Sequence, residues 1–173
     1  MKTKNTRAKK IAFIGITSSL ALLLSYIEFL LPPIFISIPG IKLGLPNVII
    51  LYVLYSIDIK TAVLVSFARI FVSSLLFGNP ITILYSISGA VLSLTVMAIL
   101  KKTDILSEVG VSVAGGITHN LGQILVAMAL LNTPQIAYYL IVLAITGTIS
   151  GVFIGLCGAI LIKRIPKHKF LNQ

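Results

Sequence analysis

His119, Asn120 and Gln123 lie within one short run, Gly115-Gly116-Ile117-Thr118-His119-Asn120-Leu121-Gly122-Gln123. An imidazole and two carboxamides both donate and accept hydrogen bonds, so together they can hold a polar guest. Their setting makes them informative, because the segment from about Val109 to Leu131 is apolar and long enough to cross a bilayer. Polar side chains within hydrocarbon usually face a bundle interior or a wet cavity. The glycines let a neighbouring helix or a ligand approach the backbone closely. The stretch reads as the wall of a binding pocket in a small polytopic membrane protein.

Arg69 is the second candidate. It stands about eight residues below the outer end of its apolar segment, roughly 12 Å deep at the helical rise per residue. Gln123 falls at nearly the same depth, with His119 and Asn120 about one turn deeper. An arginine at that depth costs several kcal/mol unless it is paired or hydrated. Two readings stay open. Arg69 forms a structural pair with Glu28, the one acid embedded in an apolar segment, or it faces the cavity beside Asn120 or Gln123 and meets a ligand carboxylate or phosphate. His119 can be a ligand contact, a hydrogen-bonding strut or a proton relay. A lone histidine without nearby acids is no metal site, and His168 sits in the basic tail. No metal or cofactor is expected.

The elements that must position these residues follow from composition. The chain has 173 residues, 57% hydrophobic and 10% charged, with a mean hydropathy of +1.07. A soluble domain of this size cannot bury so much apolar surface, so its solvent is lipid. The fold class expected is all-α, a single integral membrane domain over residues 1–173 with six spans. These run at about 11–31, 46–57, 61–77, 80–100, 109–131 and 134–162. The apolar run from Ile11 to Ile27 exceeds a typical signal-peptide core and no small-residue cleavage site follows, so it reads as a retained helix. Residues Ile34 to Leu45 are too apolar for an ordinary loop and read as a re-entrant or lid-like segment.

The net charge of +10 reflects topology rather than nucleic acid. With both termini on one face, that face holds twelve lysines and arginines, the other face holds Lys42 alone, and Arg69 lies within a span. This places both termini in the cytoplasm of a multi-pass cell-membrane protein. The second, fourth and sixth spans then start outside near Pro46, Pro80 and Pro134, a residue suited to the first helical turn. Their free N–H groups and positive dipole ends, with Lys42, favour an anionic guest, although any bundle of this orientation has such ends. Asn47 and Asn79, at two of those starts, complete the candidate ligand set of Lys42, Asn47, Arg69, Asn79, His119, Asn120 and Gln123.

Gly147, Gly151, Gly155 and Gly158 form a small-residue face, expected to pack on a helix of the same chain, with Gly116 bringing the polar stretch close. Ala8 and Ala12, and Gly15 and Ser19, are spaced alike and fit ordinary packing or a seam for a partner subunit. Cys157 reads as an inert thiol. No phosphate loop, activated nucleophile or paired acids support hydrolysis or phosphoryl transfer. Asp58 and Asp104 are far apart in polar turns, so the metal-binding motifs of common prenyl synthases are missing.

Three motifs carry a family resemblance: Pro39-Gly40-Ile41-Lys42-Leu43-Gly44-Leu45-Pro46-Asn47, Arg69 followed by Leu76-Phe77-Gly78, and His119-Asn120-Leu121-Gly122-Gln123. Together they resemble the family labelled heptaprenyl diphosphate synthase component I, also called Gx transporter. The family pattern has Ala-Asn where this chain has Pro46-Asn47. In size and layout the family is similar to the substrate-binding S components of energy-coupling-factor (ECF) transporters. That similarity implies a loop closing over an outward pocket, docking of Ala8, Ala12, Gly15 and Ser19 on a transmembrane coupling subunit, and transport powered by separate ATPases.

The leading expectation is thus a membrane-embedded binding and translocation subunit for a small, anionic, vitamin- or cofactor-like molecule. The alternative is a non-catalytic membrane component of isoprenoid diphosphate synthesis. A free-standing channel or carrier ranks third, because no span shows a periodic polar stripe.

Overall fold

A computed structural model describes residues 2–31 and 43–165, and among them every regular element is helical. The elements are α1 (Lys2–Leu30), α2 (Asn47–Ser56), α3 (Ile59–Phe77), α4 (Pro80–Thr103), α5 (Glu108–Leu131), a 3₁₀ helix (Pro134–Tyr138) and α6 (Tyr139–Arg164). Five helices are long and apolar enough to cross a membrane, and α2 is the exception.

Local sequence sets the helix ends. Asp58 caps α3 by accepting the N–H of Thr61 at 2.6 Å. Asn79 and Thr82 form a reciprocal capping box at the start of α4, with Pro80 as the first helical residue. Ser107 accepts the N–H of Gly110 to open α5. Asp104 and Asn132 end α4 and α5 in the left-handed conformation, at φ 52° and 48°.

The helices alternate in direction. At one end, Lys10 of α1 pairs with Asp58 in the α2–α3 turn at 3.5 Å, and Lys101 of α4 donates to the Leu54 carbonyl of α2. At the other end, the N–H of Gly44 donates to Glu28 of α1, and the Phe29 ring packs tilted against Phe77 of α3, 5.2 Å between centroids. Arg7, Lys9, Lys10, Lys60, Lys101, Lys102, Lys163 and Arg164 all belong to the first end, and no described lysine or arginine belongs to the second.

Helix α2 is buried on almost every side. Val48 through Leu54 are at most 9% exposed and form the centre of the apolar core with Ala62, Val65, Leu94, Met97, Val111 and Ile154. A helix apolar all round belongs inside, surrounded by other helices. Its ten residues reach only about 15 Å, half the hydrocarbon thickness.

Helix α5 is clamped by α4 and α6. A Cβ on Gly116 would lie 2.5 Å from the Gly147 carbonyl, and one on Gly151 would lie 2.6 Å from the Val113 backbone. On the α4 side, a Cβ on Gly122 would meet the Ser88 carbonyl at 2.6 Å. The glycine face of α6 therefore packs within the chain, against the polar stretch. Its opposite face, with Ile141, Ile145, Ile149, Val152, Leu156 and Ile160, is exposed to lipid.

Several boundaries differ from the sequence expectation. Helix α1 starts at Lys2 rather than Ile11, because lysine and arginine are good helix formers and the helix continues past the apolar edge. The second expected span is the ten-residue helix α2, within the expected 46–57. Pro46 precedes α2 as its cap, and Pro134 opens a 3₁₀ helix instead of α6. Of the expected lid, only Leu43 to Leu45 fall within the described residues.

Candidate functional site

A cavity of about 430 Å³ lies toward the end of the bundle away from the described basic residues, beyond the tip of α2. Its floor lies at the tip of α2, where Asn47 stands. Its rim includes Leu43, Gly44, Gly78 and Asn79, so it reaches the end of the bundle free of described basic residues. The volume suits a small organic molecule.

The described candidate residues Asn47, Arg69, Asn79, His119, Asn120 and Gln123 all line this cavity. Lys42 lies outside the described residues. Arg69 projects from α3 into the bundle, and its Nε is buried with no hydrogen-bond partner among the described residues. Glu28 lines the same cavity and interacts electrostatically with Arg69 while accepting the Gly44 N–H. Both readings of Arg69 thus converge on one chamber: it senses Glu28 and also faces the cavity.

The polar stretch of α5 divides its work. Asn120 donates to the Leu143 carbonyl of α6 at 2.7 Å, tying two helices together. Gln123 Nε2 lies 3.3 Å from His119 Nε2, one turn away on the same helix. The His119 ring packs on Gly89 of α4, where an added Cβ would come within 2.8 Å of it. Glycine at position 89 is what gives the imidazole its place. Asn79 uses its side-chain oxygen on Thr82, so it holds the rim and the start of α4 together.

A second void of about 30 Å³ lies deeper, lined by Ser66, Ser93 and Ser112, and shares Asn47, Gly116, His119 and Ile154 with the larger cavity. It is of water size with polar groups on several sides. His119 stands between the two.

Sequence reasoning missed Ser25, Ser73, Ser74, Thr82, Ser86 and Ser150, which also line the large cavity. A signal for part of this set existed. Ser66, Arg69 and Ser73 follow at three and four residues on α3, a polar stripe at helical spacing, and the residues of that stripe line the two voids. The expectation that no span carries such a stripe is corrected. The third convergent helix start is corrected too, since no residue of Pro134–Tyr138 lines the cavity. Ala8, Ala12, Gly15 and Ser19 are all exposed on α1, and nothing lies within 4 Å of a Cβ built on Gly15. No group of three potential metal ligands occurs among the described residues.

An α-helical bundle with long lipid-exposed helices and a polar chamber defines a multi-pass membrane protein. Within that class, the chain belongs to the heptaprenyl diphosphate synthase component I family, whose family model matches residues 17–161. That match includes every described residue of the chamber. No curated protein and no solved structure matches the chain.

Proposed function

We propose that the protein is a membrane-embedded binding and translocation subunit for a small, vitamin- or cofactor-like molecule bearing an acidic group. The observation that carries this reading is the chamber itself: about 430 Å³ within the bundle, with the buried Nε of Arg69, unpartnered among the described residues, in its wall. An arginine held in that setting is suited to a carboxylate or phosphate oxygen. Asn47, His119 and Gln123 supply further hydrogen bonds, and Phe29 and Phe77 supply an apolar side. The exposed small residues of α1 would meet a transmembrane coupling subunit, with ATPases supplying the energy. The basic end of the bundle is the cytoplasmic one by the positive-inside rule.

The family name favours a second reading, a non-catalytic membrane component acting with a soluble prenyltransferase. Co-purification separates the two, through the partner recovered. The direct test of the first is native mass spectrometry of the purified protein. Wild type should retain a small acidic molecule that Arg69→Met loses while staying folded. Equal retention by both forms would remove Arg69, and with it the reading.

A further inference from the structure

We infer that the small deep void holds a resident water molecule that ties α3, α4 and α5 together beneath the chamber floor. The inference does not depend on what the chamber binds. Ser66 comes from α3, Ser93 from α4 and Ser112 from α5, and all three line the void. Ser66 is 2% exposed and Ser112 4%, and neither hydroxyl has a hydrogen-bond partner among the described residues. Elsewhere in the bundle buried hydroxyls turn back onto their own helix: Thr17 donates to Phe13, Ser25 to Ala21 and Thr118 to Ala114. Ser66 and Ser112 have the same option one turn back and leave it unused. The one contact of the Ser93 hydroxyl among the described residues is the Met97 sulfur, a weak acceptor, at 3.4 Å. Buried hydroxyls without partners are costly, so three that line one void call for a common partner.

Size and chemistry name that partner. A void of about 30 Å³ admits about one or two waters. A water both donates and accepts, so it can serve hydroxyls on three helices at once. The Asn47 carboxamide and His119 line the same void and extend the set of partners. Glycine keeps the space open: a Cβ on Gly115 would lie 3.2 Å from the Ser93 hydroxyl and 2.5 Å from the Met97 sulfur. Asn47, Gly116, His119 and Ile154 line both spaces, so the water lies directly behind the chamber wall and exchanges past His119. Further toward the basic end, Leu94, Met97 and Val111 are at most 7% exposed, and hydration stops there.

The test uses the full chain in lipid. Water-edited magic-angle-spinning NMR should show transfer of water magnetisation to the Ser66 and Ser112 side chains and none to the methyls of Val53 and Val65, which are fully enclosed. Ser66→Ala and Ser112→Ala should each lower the melting temperature by about 2–4 °C. The double variant should fall no further than the worse single one, because the two hydroxyls share one partner. Additive losses, unchanged melting, or serines as silent as the valines overturn the water. Stabilisation by sodium chloride over potassium and choline chloride at equal ionic strength would place a cation there instead, and overturns it as well. None of these outcomes bears on whether the chamber takes an acidic molecule, which the retention experiment decides.

Discussion

Among single residues, placement separates the roles. Arg69 faces the chamber with an Nε unpartnered among the described residues, whereas the Asn120 carboxamide donates to Leu143 on another helix. Replacing Arg69 with Met should abolish retention of the guest, and combining it with Glu28→Gln, so that no buried charge is left unbalanced, should leave the melting temperature unchanged. Asn120→Ala should do the reverse, lowering stability by about 1 kcal/mol, a usual size for an interhelical hydrogen bond in a membrane. Measuring retention and melting on both variants checks the contrast. The large polar groups were legible because arginine, histidine and carboxamides stand out in an apolar segment. Most of the serines were not, because hydroxyls satisfy themselves along a helix. Ser25 donates to the Ala21 carbonyl and Ser150 to Thr146, so each is tolerated on any face and marks none, whereas Ser73 could be read from its spacing to Arg69 and Ser66.

Between elements, the glycine contacts of α5 with α4 and α6 set the geometry of the chamber wall. Gly116→Leu would force a side chain where the Gly147 carbonyl lies 2.5 Å from the position of a Cβ. The expected result is a loss of at least about 2 kcal/mol, as for other overpacked sites, seen as a lower unfolding midpoint. Gly15→Leu meets nothing within 4 Å and should leave that midpoint unchanged. Its effect, if Gly15 belongs to a docking seam, is confined to co-purification of the coupling subunit. Periodic small residues made the α5–α6 contact legible. The short length of α2 was legible too, since the second span is expected at 46–57 and the helix runs Asn47–Ser56. Burial agrees: Leu51 and Val53 are fully enclosed and Leu54 nearly so, which suits a short central plug.

For the whole molecule, charge distribution and shape argue together. Reporters fused after Arg164 and inserted at Asn132 should report opposite sides of the membrane, the first cytoplasmic. The reverse assignment would invert the chamber as well. The basic end also holds the Lys10–Asp58 pair. Burial alone would raise the Asp58 carboxyl, but the Thr61 N–H and Lys10 outweigh it and hold it below the usual range. A depressed folded value means the contribution is present above the ordinary carboxylate pKa and is lost as pH falls through the folded one. Melting curves over that acid range should therefore decline less for Asp58→Asn than for wild type, while Asp58→Ala also loses the cap, by about 1 kcal/mol. Finally, α2 insulates only about 15 Å, against about 30 Å for the surrounding hydrocarbon. Where the chamber is filled with water, the membrane voltage drops mostly across those three turns, and the electric field there is about double that in the adjoining lipid. Charge that moves past Asn47 therefore senses nearly the full potential over half the distance.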